Sequence, residues 1–229
     1  MKIGLAILNK NEEMALPSVI SKIDRASITE IFAVDGGSTD NSIKIFQDSG
    51  IKVINQTSKG RGEAIKTALE YVSGRLDGLI FLSSDGNEDP SDIPKFVDAL
   101  EKNYDLVIGS RMMFGATNEE DIKFFRPRKL GNKFFSFIAY ILFGLGRLKY
   151  ISDPINGFRA LKIESWSKSN LKSTGYSIEY EISIESYKKK LRVYEFPTVE
   201  MQRIGGKSQA TSIKTSLALL KTLFYKLLK

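Results

Sequence analysis

Residues 81–90 read FLSSDGNEDP, an apolar run that gives way abruptly to two hydroxyls, a carboxylate, a glycine, an amide, two further carboxylates and a proline. A buried strand ending in a tip rich in oxygen donors is the pattern of an open α/β sheet, which presents its ligand site at the carboxyl ends of its strands. Apolar runs at 2–8, 30–34, 52–55, 78–83 and 105–109 predict further strands of the same kind. Between them the pattern predicts helices over 12–25, 40–49, 62–73 and 91–102, the second and fourth opening after Ser, Thr or Asp caps. The polar clusters 9–13, 35–42, 83–89 and 110–111 all fall at the expected strand tips. After about Gly109 the pattern becomes irregular and basic.

Composition narrows the chemistry. With 229 residues, 42% of them hydrophobic, the chain can bury a sizeable core in one α/β domain with or without an appendage. It contains no Cys and no His, which excludes disulfide frameworks, thiolate nucleophiles, Ser-His-Asp triads and histidine metal sites. Chemistry must come from carboxylates, Lys, Arg, hydroxyls, backbone amides or a hard metal ion. The opening MKIGLAILNKNEE lacks the long apolar region of a signal peptide, so a cytoplasmic location is expected. The formal charge of +7 points to an anionic partner, which nucleic acid, a phosphorylated metabolite or an acidic membrane surface would each satisfy.

Each cluster has a structural reading beside a functional one. In VDGGSTDNS (34–42) the glycines and Thr39 or Asp40 build a strand-to-helix turn, which leaves Asp35 at the strand tip, in reach of a ribose or base. In SKGRGEA (58–64) Lys59 and Arg61 beside a helix start suit an anion, although the spacing is not that of a Walker loop. In 81–90, Asp89 and Pro90 are explained by a helix start, whereas Asp85 and Asn87, two apart on an extended segment, offer hard oxygens suited to Mg2+ or Mn2+.

LNKNEE (8–13), VDGGSTDNS, KGRGEA, SSDGNEDP, GSRMM (109–113) and DPINGFRALK (153–162) stand in the order and approximate spacing of the family 2 glycosyltransferases. Over about 1–210 the chain resembles the dolichyl-phosphate and polyprenyl-phosphate sugar synthases of that family. The resemblance implies a GT-A fold, an open and mostly parallel Rossmann-like sheet flanked by helices. It implies a transferase domain over 1–210, donor-binding to about 111 and acceptor- and membrane-facing from about 112, followed by a C-terminal amphipathic helix over 211–229. It also implies site roles. Asn11 and Glu12 match the first-strand motif at the nucleotide base, and Asp35 matches the next acid of that pocket. Ser84 and Asp85 fall on the family's D-x-D, Asp85 as the metal-holding acid and Asn87 where a Gln ligand is common. Arg111 matches the arginine of GSR, and Arg126 or Arg128 the further contact to an acceptor phosphate. Asp153 and Arg159 carry the D-x-x-x-G-F-R segment, while Arg203 and Lys207 match the late stretch that closes over the diphosphate. Two departures stand out: Ser83 replaces the first D-x-D acid, and Leu8 and Lys10 replace the usual proline and aromatic residue near the base.

The expected reaction is inverting transfer of a sugar from a nucleotide sugar to polyprenyl or dolichyl phosphate, with Mg2+ or Mn2+ as cofactor. A metal and arginines stabilise a departing diphosphate, and a phosphate acceptor is ionised already, so no strong base is needed. A hydroxyl acceptor, the alternative, would need a placed carboxylate, for which Asp153 is the candidate. A nucleotidyltransferase is a second alternative, although LNKNEE is not the glycine-rich anion loop expected near its first strand. A nucleic-acid module is disfavoured because the aromatics concentrate between Phe124 and Phe143 rather than interleaving with basic patches.

FFSFIAYILFGL (134–145) is too short to span a bilayer, yet Arg126, Arg128, Lys129 and Lys133 precede it and Arg147 and Lys149 follow. This suits either an interfacial segment on an anionic membrane or a buried helix. Near the C-terminus Ile213, Leu217, Leu220, Phe224 and Leu227 recur at helical spacing, with Lys214, Lys221 and Lys229 on another face. The expectation is a peripheral protein at the cytoplasmic face of a membrane, with no nucleic-acid partner.

Overall fold

A computed structural model describes residues 1–118, 120–121, 126–146, 149–167, 169–205 and 212–228. Phe124, Arg147, Lys207 and Lys229, singled out above, lie outside the described residues. The strands β1 (Ile3–Asn9), β2 (Glu30–Asp35), β3 (Lys52–Asn55), β4 (Gly78–Ser83), β5 (Leu106–Ser110), β6 (Arg159–Lys162) and β7 (Val193–Pro197) form one seven-stranded sheet in the order β3-β2-β1-β4-β6-β5-β7. Every pairing is parallel except those of β6, which runs antiparallel between β4 and β5. The expected open, mostly parallel sheet is thus present.

Every residue of β1 and β4 is buried, as strands covered on both faces require. Leu5 and Ile7 of β1 pack with Ala33, Phe46 and Phe96 on one side, while Ala6 and Leu8 pack with Phe32, Phe81, Ile65 and Tyr180 on the other. The first layer is supplied by helices α1 (Leu16–Ser21), α2 (Ser42–Asp48) and α4 (Ile93–Glu101), the second by α3 (Arg61–Val72), α5 (Pro127–Ala139), α7 (Ile178–Lys188) and α8 (Ser212–Leu227). A short α6 (Ile163–Trp166) follows β6. The chain builds outward from β1 to β3, then returns to place β4 on the other side of β1. This reversal of strand order opens a crevice at the strand tips, where Ser84 N and Oγ donate to Leu8 O at 3.2 and 3.0 Å.

Three expectations change. The helix expected over 12–25 is only Leu16–Ser21, because Glu12 N and Glu13 N donate to Ser42 Oγ and Asp40 Oδ2 across the neighbouring loop and Pro17 sits at the helix start. The single helix expected over 91–102 is a 3-10 turn at Pro90–Asp92 leading into α4. In 134–145 the expected buried helix is buried on one side only: Phe135 and Ala139 are buried, while Phe134, Phe137, Ile141, Leu142 and Leu145 are exposed. Helix α8 seats Leu219, Leu223 and Lys226 against the domain and turns Ile213, Leu217, Phe224 and Leu227 outward. Among the described residues no helix is long and apolar enough to cross a membrane.

Candidate active site

The crevice at the β1/β4 tips is a cleft of about 420 Å³. Its walls carry Asn9, Lys10 and Glu12 from the end of β1, Ser83, Ser84, Asp85, Asn87 and Glu88 from the tip of β4 and the loop after it, Arg61 at the start of α3 and Arg111 after β5. Arg203 and Glu200 enter from the late loop, Arg128 and Asn132 from α5, and Leu219 from α8.

Arg203 bridges two acids over the cleft, with Nη1 2.9 Å from Asp85 Oδ2 and Nη2 paired with Glu12. Asp85 is pushed above its usual value by burial, against which Arg61 pulls. Beside it Asn87 N approaches Asp85 Oδ1 at 3.3 Å, and Asn87 Oδ1 is buried with no donor among the described residues. Among the described residues no trio of acidic, His or Cys side chains could hold a metal ion; the Asp85 carboxylate and the Asn87 amide oxygen are hard donors of the kind that suits Mg2+ or Mn2+.

Ser83, in place of the first D-x-D acid, is not left without a carboxylate nearby. Its N and Oγ donate to Glu88 Oε2 and Oε1 at 2.6 and 3.1 Å, so the Glu88 side chain folds back onto the strand tip. Burial raises the Glu88 carboxyl to about 7, with Arg61 opposing. Arg61 donates to Ser83 Oγ at 3.3 Å, pairs with Glu179, and lies so close to the next loop that a Cβ on Gly157 would sit 1.9 Å from its Nη2.

At the other wall Arg111 is clamped. Its N and Nε donate to Asp153 Oδ2 at 3.0 and 2.8 Å, Nη2 to Asp153 Oδ1 at 3.0 Å, and Nη1 to Glu200 Oε1 at 2.8 Å. Asn132 Nδ2 adds a 2.6 Å bond to Asp153 Oδ1. Burial pushes the Asp153 carboxyl up, but the Arg111 guanidinium and the bonds from Arg111 and Asn132 outweigh it and hold it below the ordinary range.

Several residues expected in the site are placed elsewhere. Asp153 is wholly buried and spent on Arg111, so it orients that arginine and is not a base for a hydroxyl acceptor. Arg159 is fully buried, donating to the carbonyls of Asn156, Pro154 and Glu179, and ties the 153–159 loop to α7. Asp35 accepts four bonds, from Gly37 N, Ser38 N, Ser38 Oγ and Asn9 Nδ2, which fill its lone pairs. Asn11, with φ 55°, accepts from Thr39 N and shapes the same turn. Arg126 faces Asp121 outside the cleft lining, whereas Arg128 lines it; Lys59 is exposed and off the lining. Asp85, Ser84, Asn87, Glu12, Arg61, Arg111 and Arg203 are brought together. Glu88, Glu179, Glu200, Asn132 and Asn9 were missed as site residues: charged and amide side chains carry no mark in the sequence that they are buried, and only the fold shows it.

A mostly parallel sheet with its cleft at the strand-order reversal, lined by acids and clamped arginines, defines a GT-A type of protein. The model of glycosyl transferase family 2 matches residues 5–165, and the chain belongs to that family. It is similar to the glycosyltransferase AglJ of Haloferax volcanii, 29% identical over 200 residues, covering 86% of this chain and 62% of that protein. It is also similar to the dolichol-phosphate mannosyltransferase of Pyrococcus furiosus, 31% identical over 217 residues, covering 91% of this chain and 59% of that one. The chain thus spans about three fifths of the length of these two relatives. Among solved structures, glucosyl-3-phosphoglycerate synthase of Mycobacterium tuberculosis, crystallised with Mn2+, UDP and phosphoglyceric acid, shares the fold with a TM-score of 0.79 at 20% identity, covering 99% of this chain and 78% of that one.

Proposed function

We propose that this chain transfers a sugar, with inversion, from a nucleoside-diphosphate sugar to a polyprenyl phosphate at a membrane surface. The observation that carries the reading is the position of the clamped Arg111 and Arg128 on a cleft whose walls include α5 and α8, helices that turn Leu130, Phe134, Phe137, Leu217 and Phe224 to the outside. Exposed apolar side chains interspersed with Lys133, Lys214 and Lys221 suit an anionic bilayer, and that placement sets the arginines beside a lipid headgroup. The dolichol-phosphate relative supports the same acceptor class.

The donor lies along the β1 and β4 tips. A divalent cation held by Asp85 and Asn87 would draw charge from the donor diphosphate as it leaves. Glu88 brings a carboxyl group to Ser83, whose N and Oγ donate to it. Arg203, now bridging Glu12 and Asp85, can exchange one carboxylate for a diphosphate oxygen, and Arg61 lines the same wall. Arg111, fixed by Asp153 and Glu200, presents its remaining donor capacity to the acceptor phosphate. An acceptor oxygen attacks the anomeric carbon, the bond to the diphosphate breaks, and nucleoside diphosphate departs. The acceptor arrives ionised, so no proton has to be removed.

A hydroxyl acceptor is favoured by one observation, the Glu88 carboxyl on the cleft wall, which offers a candidate base. The readings separate when labelled nucleotide sugars are incubated with the protein and Mn2+, with EDTA as control and polyprenyl phosphate present or absent. Label entering the organic phase only with the lipid phosphate and the metal is the expected result. Label transferred to a polyprenol, or to an aqueous sugar, instead of the phosphate overturns it.

A further inference from the structure

The loop after β7 pairs antiparallel with the loop that carries Asp85. Glu200 bridges Glu88, Met201 N donates to Asn87 O at 2.8 Å, and Ile204 N donates to Asp85 O at 3.0 Å. The approach is close at Gly86, which has a φ of 78° and where a Cβ would meet Ile204 Cδ1 at 2.8 Å. This strap delivers Arg203 into the cleft with every guanidinium nitrogen engaged: Nε donates to Gly205 O at 3.2 Å, Nη1 to Asp85 Oδ2 at 2.9 Å and Nη2 to Glu12. The second oxygen of Asp85, Oδ1, accepts from Asn87 N at 3.3 Å. Both Asp85 oxygens are thus taken by groups of the chain itself, one of them by a cation.

We propose that Arg203 is an internal counter-ion that keeps Asp85 closed to a divalent cation until a diphosphate draws the arginine away. This rests on the nucleotide-sugar reading and on the Asp85–Asn87 metal assignment given above. A guanidinium and a divalent cation repel each other, and the Asp85 and Glu12 side chains between which they would meet are only 15% and 9% exposed, so solvent screens the repulsion weakly. Asp85 therefore becomes available to the cation only as Arg203 releases it. Release leaves a fork of N–H donors without its anions, and the oxygens of a diphosphate match that fork. With Arg203 turned to the diphosphate, Asp85 is bare on the side facing the cleft. Nucleotide and cation then bind as a pair, each raising the affinity for the other by the same factor. Ile204, seated on Gly86, sets how firmly the strap holds Arg203 in place.

The test is the affinity of the nucleotide-free protein for Mn2+ alone, followed by electron paramagnetic resonance of the free ion. Arg203→Gln should bind Mn2+ at least about tenfold more tightly than the wild type, a gain that damage to the fold would not produce. Ile204→Ser loosens the strap without changing any charge and should tighten Mn2+ binding about threefold or more, so a poorly folded Arg203→Gln leaves the test standing. Lys10→Gln removes the same charge from the cleft wall and should stay within about twofold of the wild type. Saturating UDP or GDP should tighten Mn2+ binding to the wild type, and this gain should shrink in Arg203→Gln by at least the factor won in the absence of nucleotide. Mn2+ binding to Arg203→Gln no tighter than to the wild type overturns the proposal. Equal tightening by Lys10→Gln overturns it as well, since net charge would then account for the effect. Mn2+ bound by none of the forms overturns the metal assignment together with the proposal. If neither UDP nor GDP binds the wild type with Mn2+ present, the nucleotide-sugar reading falls, while the nucleotide-free comparison still decides whether Arg203 closes Asp85.

Discussion

Arg111 grips two acids, Asp153 and Glu200, in a fixed fork, and a lysine, a point charge on a flexible stem, cannot reproduce that geometry. Arg111→Lys is expected to raise KM for polyprenyl phosphate about tenfold or more while donor KM stays within about twofold, read from initial rates. A rise confined to the donor would move Arg111 to the other side of the reaction. Asp85 has its oxygens at the cleft with little packing role, so Asp85→Asn should cut kcat at least about 100-fold with the melting temperature unchanged. Wild-type rates would remove it from the donor site. Asp85, Glu12 and Arg203 were legible in the sequence because motif spacing marks them. Glu200 was not, since its role comes from Arg111, 89 residues away in the chain, and Glu88 was not, since its side chain folding back five residues onto Ser83 is set by the loop's conformation and leaves no mark in the spacing.

At the scale of elements, α8 joins the domain through a buried ion pair as much as through Leu219 and Leu223. Lys226, 5% exposed, lies 2.7 Å from Glu181 and 2.9 Å from Glu185 on α7. Lys226→Ala leaves Glu181 without its cation and should cost about 3–5 kcal/mol in denaturant unfolding; a loss under about 1 kcal/mol would mean α8 is held by its leucines alone. The outward faces of α5 and α8 are expected to bind vesicles. Phe137→Ser with Phe224→Ser should lower affinity for anionic vesicles about tenfold without lowering the melting temperature, whereas unchanged binding would place the membrane contact elsewhere. The helical spacing of α8 was readable, but the direction of its faces was not: the stripe of Ile213, Leu217 and Phe224 that looks like a core face is the exposed one. β6 and β7 escaped notice for a related reason. β6 is four residues long with a charge at each end, and β7 buries Glu195, which accepts from Ser152 and Asp153 N, so neither shows an apolar alternation. In α7, Glu179 and Glu181 are buried on ion pairs, which erases the amphipathic pattern.

For the whole molecule, the buried acids set opposite pH dependences. Glu88 titrates at about 7 in the fold against an ordinary 4.5, so between those values the folded chain keeps a proton that the unfolded chain has lost. Stability therefore falls as pH rises through that window, by at most about 1.4 kcal/mol per pH unit from this group. Asp153 works the other way: held below its ordinary 3.8, it stabilises above that value, and the contribution is lost as pH falls through its folded value. Glu88→Gln should flatten the slope of unfolding free energy between pH 4.5 and 7 in metal-free buffer, and an unchanged slope would mean that Glu88 ionises normally. The central sheet was readable throughout its parallel half because strands buried on both faces are continuous apolar runs. The half that closes the cleft was not, because buried charges such as Asp153, Arg159, Glu179 and Glu195 interrupt its apolar runs.

The measurement that bears most directly on the central claim is the mass of the labelled lipid formed from polyprenyl phosphate and the preferred nucleotide sugar. Sugar transfer to the phosphate predicts one added sugar residue and a single phosphorus in the product. A lipid glycoside with no phosphorus, or a product with two phosphorus atoms, would contradict it.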